Sequence, residues 1–281
     1  MEIFNEIKQL REYLKQFKDK SIGFVPTMGA LHQGHLSLIE IAKKNCDVVV
    51  VSIFVNQKQF NNPEDFLKYP NTIEQDIQLL KNVGVDVLFN PANEEIYSSY
   101  FKTSITISDL TDELCGKTRP GHFDGVALIV AKLFNIVKPS FAFFGEKDFQ
   151  QLQIIRKLVK DLNFDLEIIS GETLRENDGL AMSSRNLRLS QNARKIAPQI
   201  YKTLITTKEI ILENSGKNIE LILQEAAQNL IKLGFEKIDY LEVCDEENLK
   251  ALKIFDPKIK SRLFVAAFID EVRLIDNIAI N

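Results

Sequence analysis

Residues 21–54, SIGFVPTMGALHQGHLSLIEIAKKNCDVVVVSIF, decide the fold class. Ser21 to Pro26 has the pattern of a short buried strand, and His35 to Asn45 places apolar side chains at helical spacing. Asp47 to Phe54 is a run of mostly β-branched residues, which predicts a second strand buried on both faces. A strand, a helix and a strand within about 35 residues form a βαβ unit, so we expect parallel strands with a right-handed crossover.

The same alternation continues along the chain. Further helices are predicted over residues 4–19, Thr72–Val83 (with Thr72 as its cap), Phe123–Val137 and Asp148–Leu162. Further strands are predicted over Asp86–Phe89, Thr103–Ile107, Ser140–Phe144 and Asp165–Ile169. Alternating strands and helices predict an α/β fold, a Rossmann-like doubly wound parallel sheet, over roughly the first 170 residues.

The pattern changes after Gly179. Two helices are predicted over Ser190–Leu212 and Ile219–Leu233, followed by strands over Ile238–Val243, Arg262–Phe268 and Val272–Ile275. A pair of helices followed by strands is typical of an α+β arrangement. We therefore expect two domains, a Rossmann-like one over residues 1–175 and a smaller C-terminal α+β one over residues 176–281, with a hinge in residues 173–190.

Composition excludes several classes of protein. Of the 281 residues, 45% are hydrophobic and 26% charged, which is ordinary for a globular protein. The formal net charge of −4 argues against a general affinity for nucleic acid or anionic membrane. The three cysteines, Cys46, Cys115 and Cys244, are far apart, which argues against a disulfide framework or a structural zinc site. With no signal peptide or membrane-length apolar run recognised, we expect a cytoplasmic protein.

The loop TMGALHQGH, residues 27–35, leaves the first strand and enters a helix. Backbone N–H groups at a helix N-terminus suit a phosphate, and Gly29 and Gly34 allow a ligand to approach closely. His32 and His35 are three residues apart, so on a helical turn they share a face. Two of the chain's three histidines lie here, which favours a functional role over a chance placement.

Three other loops carry polar side chains at strand ends or at the predicted hinge. FGEKDFQQL, residues 144–152, offers Lys147 to a phosphate and Gln151 to the same cleft; the alternative is an ordinary charged helix start. LRENDGLAMSSRN, residues 174–186, combines serine hydroxyls with Arg185, unless it is only a serine-rich linker. SIFVNQKQF, residues 52–60, presents Asn56 and Gln59, or forms a plain polar turn.

Together these segments resemble the pantothenate synthetase (pantoate–β-alanine ligase) family of the HxGH nucleotidylyltransferase superfamily. The matching stretches, in family order, are PTMGALHQGH, SIFVNQKQF, RPGHFDGV, FGEKDFQQL, DGLAMSSRN and LIDNIAI. The resemblance implies that ATP and pantoate form a pantoyl adenylate, which the amine of β-alanine attacks to give pantothenate and AMP. One departure is visible, because the family usually has proline where this chain has Gln57.

The resemblance also implies roles for individual residues. His35, His32 and Lys147 correspond to the catalytic positions. Gln59 corresponds to a residue that contacts pantoate and β-alanine, and Gln151 to one that contacts pantoate. The positions that correspond to ATP-binding residues are Met28, Gly29, Ala30, Leu31, His32, Gln33, Gly34, His35, Gly145, Glu146, Lys147, Asp148, Leu174, Met182, Ser183, Ser184 and Arg185.

The resemblance further implies Mg²⁺ entering with ATP, with no protein ligand to the metal identified, and a cytosolic homodimer. Arg119 and His122, in RPGHFDGV, are either further site residues or a polar helix start. Two other functions stay open at this point. One is a different HxGH nucleotidylyltransferase with a phosphate-bearing acceptor. The other is a non-catalytic nucleotide sensor, which predicts that phosphate ligands such as His35 and Lys147 are missing, although both are present.

Overall fold

A six-stranded parallel sheet dominates the first part of the fold in the computed structural model, which describes residues 1–281. Its strands are β1 (Glu2–Phe4), β2 (Ile22–Thr27), β3 (Val48–Ile53), β4 (Val87–Phe89), β5 (Phe141–Gly145) and β6 (Glu167–Gly171). They lie in the order β1-β4-β3-β2-β5-β6, and every neighbouring pair is parallel. The predicted doubly wound parallel sheet is confirmed.

The strand order reverses between β2 and β5. From β2 the chain moves outward through β3 to β4, and it then returns to the other side of β2 to form β5 and β6. Ligands of open α/β sheets bind outside the carboxyl ends of the strands at such a reversal. The loop of residues 28–32 leaves the carboxyl end of β2, so the first predicted ATP segment begins at this position.

Eleven α-helices accompany the strands. They are α1 (Ile7–Leu14), α2 (Gln33–Asn45), α3 (Pro63–Leu67), α4 (Ile73–Asn82), α5 (Asn93–Ile96), α6 (Leu114–Thr118), α7 (His122–Val137), α8 (Phe149–Asp161), α9 (Gln191–Ile196), α10 (Gln199–Glu213) and α11 (Glu220–Lys232). None of them combines the length and apolar character that crossing a membrane would require.

Both faces of the parallel sheet are covered by helices. On one face, Val25 of β2 belongs to an apolar cluster with Ile39 and Ala42 of α2. On the other face, the ring of Phe24 meets Phe134 of α7 edge to face, with centroids 6.4 Å apart. Successive residues of β2 therefore bury their side chains in opposite directions, which explains why the central strands are continuous apolar runs.

The chain divides into two compact units. The first unit comprises residues 1–107, 120–146 and 151–172, and the second comprises residues 108–119, 147–150 and 173–281. The division passes through α8, whose first two residues belong to the second unit. The domain boundary expected after residue 175 stays a prediction.

The second unit contains a three-stranded antiparallel sheet of β7 (Lys237–Asp245), β8 (Ser261–Ile269) and β9 (Val272–Ala279). Apolar residues of β8, such as Val265, share a buried core with Ile200 and Leu204 of α10. Helices that cover one antiparallel sheet form an α+β arrangement. The smaller α+β part of the predicted fold class is confirmed.

The strand predicted over Thr103–Ile107 is wrong. The structure forms no strand over this segment, and Thr103, Ser104 and Thr106 are exposed. Strand propensity describes how well a side chain fits a half-buried pleated surface. A segment with high propensity still forms a strand only where a neighbouring strand can pair with it. The alternating β-branched residues here therefore give a non-helical segment outside the ladder.

The single helix predicted over Ser190–Leu212 is two helices. Helix α9 ends at Ile196, and Pro198 occupies the N-cap of α10. Proline has no backbone N–H to donate to the preceding turn, so one continuous helix would lose a hydrogen bond there. The helix predicted over residues 4–19 also begins later than expected, because the short edge strand β1 ends at Phe4 and α1 starts at Ile7.

Candidate active site

The loop after β2 turns sharply at two residues. Gly29 has a φ of +83° and Ala30 a φ of +49°, both in the left-handed region. A Cβ atom at Gly29 would lie 3.1 Å from both an Asp76 carboxylate oxygen and Ile53, so the position favours glycine sterically as well. The chain reverses here and enters α2 at Gln33.

A buried carboxylate holds this turn. Asp76 is 2% exposed, and its two oxygens accept the backbone N–H groups of Ala30 (2.9 Å) and Leu31 (2.8 Å). The hydroxyl of Thr72 donates to the same carboxylate at 3.1 Å, and makes no capping bond to the backbone of α4. Thr72 is at the N-cap of α4 as predicted, but its side chain supports Asp76 instead of the helix end.

The two histidines form a reciprocal cap on α2. His32 is the N-cap residue, and its Nδ1 accepts from the backbone N–H of Gly34 at 3.1 Å. The Nδ1 of His35 in turn accepts from the backbone N–H of His32 at 3.3 Å. Because an accepting nitrogen carries no proton, this network assigns the proton of each neutral ring to Nε2. The ring centroids are 4.1 Å apart.

The capping bonds determine which ring nitrogen of each predicted HxGH histidine can act as a donor. His32 and His35 lie together at the N-terminus of α2, where backbone N–H groups and the helix dipole favour an anion. In each ring Nε2 is then the nitrogen that carries the N–H. The structure therefore places the two predicted histidines side by side at this helix end.

A chain of buried hydrogen bonds orients Gln59. The Tyr97 hydroxyl donates to Oδ1 of Asn56 at 2.9 Å, and Nδ2 of Asn56 donates to Oε1 of Gln59 at 3.0 Å. Burial raises the pKa of Tyr97, so its hydroxyl stays a donor. Since Oε1 of Gln59 faces Asn56, the Nε2 group is directed elsewhere, and it lies 3.1 Å from the sulfur of Met28. The amide orientation is thus fixed with the donor toward the loop after β2.

Helix α7 supports the same turn from its first residues. The Nδ1 of His122 lies 2.7 Å from the carbonyl oxygen of Gln59, and because a carbonyl only accepts, Nδ1 carries the proton. A Cβ atom at Gly125 would lie 2.3 Å from the carbonyl oxygen of Lys58, so only glycine lets the helix approach so closely. His122 is 7% exposed and begins α7, which makes it a support for the Gln59 turn. Arg119 is at the C-cap of α6.

The segment after β5 differs from the prediction in one respect. Glu146 to Asp148 form a 3₁₀ turn, and α8 begins only at Phe149. Asp148 therefore precedes the helix instead of beginning it, and its carboxylate lies 3.5 Å from the ammonium group of Lys147. Gln151 is half-buried in the first turn of α8. In the first unit, Glu146 accepts a hydrogen bond from the hydroxyl of Ser170 at 3.0 Å.

The predicted phosphate loop of the second unit is an ordered turn. The backbone N–H of Met182 donates to the carbonyl of Leu174 at 3.0 Å. Ser183 caps a 3₁₀ helix over Ser184–Arg188, because its hydroxyl accepts from the N–H of Arg185 at 3.3 Å. Ser184 is 7% exposed. The hydroxyl of Ser183 thus fixes the local backbone from which the Arg185 side chain extends.

Asp76 and Tyr97 are functional candidates that the sequence reasoning missed. Asp76 lies in the first turn of α4, where the helix dipole favours any carboxylate. Its position in the sequence therefore does not indicate that it binds a distant loop. Tyr97 follows α5 and is an ordinary aromatic residue by composition.

No group of three or more His, Cys, Asp or Glu side chains lies close enough together to hold a metal ion.

Comparison with known proteins gives matches over the whole chain. The family model described as pantoate-beta-alanine ligase matches residues 2–279. The pantothenate synthetase of Acinetobacter baylyi is 51% identical over 262 residues, covering 93% of this chain and 91% of its own length. The solved structure of pantothenate synthetase from Thermus thermophilus has a TM-score of 0.92 at 41% identity, covering 100% of this chain and 99% of that one.

A further solved structure carries ligands. It is the pantoate-beta-alanine ligase of Francisella tularensis, in complex with beta-gamma ATP and β-alanine. Its TM-score is 0.85 at 41% identity, and the match covers 100% of this chain and 98% of that one.

The Asp76 carboxylate should be required for the order of the loop after β2. In Asp76→Asn, the amide nitrogen cannot accept, so one of the N–H groups of Ala30 and Leu31 loses its partner, at a cost of about 1–3 kcal/mol. We expect faster hydrogen exchange in a peptide covering residues 28–32, measured by mass spectrometry.

Asp86→Asn is the matched control, because Asp86 accepts a backbone N–H from Val49 at 2.8 Å in the same unit. Its amide oxygen can still accept the N–H of Val49, so this charge-removing variant should leave exchange in residues 28–32 unchanged. Equal protection of residues 28–32 in Asp76→Asn and the unmodified protein would show that the carboxylate does not hold the loop.

Proposed function

Because the chain belongs to the pantoate–β-alanine ligase family, it joins pantoate to β-alanine with the use of ATP, and we propose that the reaction runs through an enzyme-bound pantoyl adenylate. The observation that supports this route best is the capped histidine pair, His32 and His35, at the N-terminus of α2. Two neutral N–H donors beside a helix N-terminus suit the charge that develops on a phosphate under attack.

The proposed chemistry has two steps. First, a carboxylate oxygen of pantoate attacks the α-phosphorus of ATP, the bond from that phosphorus to the bridging oxygen breaks, and diphosphate leaves. Then the neutral amine of β-alanine attacks the acyl carbon, AMP leaves with the bridging oxygen, and the nitrogen loses a proton. A free carboxylate is a poor electrophile at neutral pH, so the first step supplies the leaving group that the second requires.

In the first unit, we assign the loop of residues 28–35 to the ATP phosphates, with Gly145 and Glu146 as further ATP contacts. His35 and His32 act as donors from Nε2 to phosphate oxygens in the transition state. Their Nδ1 atoms are occupied by the capping bonds, which fixes the rings before the substrate arrives. Catalysis by preorganised donors requires this kind of fixed geometry.

Gln59 and Gln151 are assigned to pantoate. A carboxamide recognises hydroxyl and carboxylate groups without titrating, which suits a small hydroxy acid. Because Oε1 of Gln59 accepts from Asn56, Nε2 is the donor side of this amide, and a donor suits an acceptor oxygen of pantoate. Gln59 is also assigned to the β-alanine site, as the family pattern implies.

In the second unit, we assign Lys147, Asp148, Leu174 and residues 182–185 to ATP. The Lys147 ammonium group is a compact charge suited to a phosphate. The Arg185 guanidinium can donate two parallel hydrogen bonds to two oxygens of one phosphate. Mg²⁺ enters as part of the MgATP substrate. This ion usually keeps several waters and takes phosphate oxygens, so it needs few ligands from the protein.

The roles of the two domains, the oligomeric state and the cellular compartment are also proposals. We propose that residues 1–175 act as the ATP- and pantoate-binding domain and residues 176–281 as the smaller domain, and that the enzyme is a cytoplasmic homodimer. The two alternatives from the sequence, a transferase with a phosphate-bearing acceptor and a non-catalytic sensor, are weaker because the family match spans residues 2–279.

The half-reaction that forms the adenylate can be tested by ATP–diphosphate exchange with pantoate and without β-alanine. We expect exchange that depends on pantoate. His35→Ala should reduce it by about 10²- to 10³-fold, as for the loss of one preorganised donor to a developing oxyanion.

His35→Gln is the matched variant for this test, since glutamine at the third helical position can still accept the N–H of His32 and keep the cap. The melting temperature of His35→Gln should be higher than that of His35→Ala and close to that of the unmodified protein. Its ATP–diphosphate exchange should stay slow. Normal exchange in His35→Ala would remove the imidazole from the mechanism, and exchange independent of pantoate would contradict the adenylate route.

Gln151→Ala should raise the KM for pantoate more than the KM for ATP, because the lost amide contacts the acid and not the nucleotide. Steady-state kinetics with each substrate varied in turn measures the two constants. Gln153→Ala, two residues further along α8, is the control and should leave both constants unchanged. An increase confined to the KM for ATP would show that Gln151 does not bind pantoate.

A further inference from the structure

The C-terminal segment LIDNIAI, residues 274–280, contains two buried polar residues that the proposed function does not use. Asp276 and Asn277 are adjacent on β9 and are each 3% exposed. Burying polar side chains without partners is unfavourable, so their partners indicate what they do. One partner, Lys147, is assigned to ATP, and another, Arg175, lies in the turn between Leu174 and residues 182–185.

Asn277 holds the backbone of Lys147. Its Nδ2 donates to the Lys147 carbonyl oxygen at 2.8 Å, and its Oδ1 accepts from the Arg262 guanidinium at 2.7 Å. Arg262 also donates to Glu246 at 2.9 Å and stacks over the Phe149 ring at 3.9 Å. These contacts set the amide of Asn277 in one orientation, with its donor toward Lys147.

Asp276 holds the loop that leads to residues 182–185. Its carboxylate receives two bonds from the Arg175 guanidinium, at 2.6 and 3.0 Å. Arg175 also donates to the carbonyl of Gly179 at 3.1 Å and lies over the ring of Tyr201, 3.7 Å from its centroid. Residues 175 and 181 pair as a β-bridge that closes this turn. Arg175 thereby links β9 to the turn and to Gly179 within it.

The two residues are also coupled to each other and to the charge of Lys147. The backbone N–H of Asn277 donates to Asp276 at 2.8 Å. Burial raises the pKa of Asp276, while hydrogen bonds and the charges of Arg175 and Lys147 act in the opposite direction. A buried ion pair of this kind contributes little net stability over an apolar pair, and one of its recognised benefits is a defined local arrangement.

We propose that Asp276 and Asn277 are positioning residues for adenylate formation, and that they fix the backbone of Lys147 and the loop before residues 182–185. The proposal rests on the assignment of those segments to ATP. A displacement of about 1 Å of a group that orients the reactants can cost about 10²-fold in rate, so fixing the Lys147 backbone has a direct kinetic consequence. Asn277 acts through Lys147, and Asp276 acts through Arg175.

Asn277→Asp tests the first link with little change of shape. The carboxylate still accepts from Arg262, but it cannot donate to the Lys147 carbonyl, and it places a negative oxygen against it. We expect a fall in the kcat of pantoate-dependent ATP–diphosphate exchange of about 10- to 100-fold. The KM for pantoate should change by less than about 3-fold, because the residues assigned to pantoate are not involved.

Asn281→Asp is the matched control in the same unit. Its amide donates to the carbonyls of Pro257 and Ile259 (2.8 and 2.9 Å) and its oxygen accepts from Ser261, so it loses equivalent bonds remote in sequence from the ATP segments. It should lower the melting temperature without slowing exchange. If Asn277→Asp exchanges as fast as Asn281→Asp, the proposal is wrong. If Asn277→Asp fails to fold, Asn277→Ala carries the same test without the added charge.

The Lys147→Ala background separates this proposal from the function on which it rests. If Asn277 acts through Lys147, adding Asn277→Asp to Lys147→Ala should cause little further loss, because the two effects are not additive. A full additional loss would overturn the positioning role while leaving the Lys147 assignment intact. Normal exchange in Lys147→Ala alone would overturn the assignment itself, and the proposal with it.

Discussion

The carboxylate of Asp76 fixes the loop on which the proposed chemistry depends. It accepts the backbone N–H groups of Ala30 and Leu31 inside the protein, where an unpaired N–H would be expensive. It lies in the first turn of α4, where the helix dipole favours a negative charge. The loop that it holds in the left-handed region leads directly into the cap formed by His32 and His35.

The parallel sheet determines why this loop matters. In the order β1-β4-β3-β2-β5-β6, the reversal next to β2 leaves the loop after β2 at the carboxyl edge of the sheet. The 56–59 turn follows β3, the neighbour of β2, and it is set by Tyr97, Asn56 and Gly125. Donors of fixed direction therefore come from two adjacent strand ends of the first unit.

The sequence predicted well whatever depends on local pattern. The apolar runs of β2 and β3 and the spacing of α2 predicted a βαβ unit, and the motif TMGALHQGH predicted the histidine pair. Prediction from the sequence failed where contacts with distant parts of the chain decide the structure of a segment. Residues 103–107 have strand propensity and no neighbouring strand, and Asp76 resembles a surface helix residue although only 2% of it is exposed. Asp276 and Asn277 were visible as part of a family-like motif, but only their hydrogen bonds indicate a purpose.

In the proposed reaction, the carboxylate of pantoate becomes bonded to the α-phosphorus of ATP. Pantoate labelled with ¹⁸O in its carboxylate tests this directly, with the products of a complete reaction examined by mass spectrometry. A pantoyl adenylate predicts one ¹⁸O atom in the phosphate of each AMP and the other in the amide carbonyl of pantothenate. Unlabelled AMP, or label recovered in inorganic phosphate together with ADP, would exclude a pantoyl adenylate.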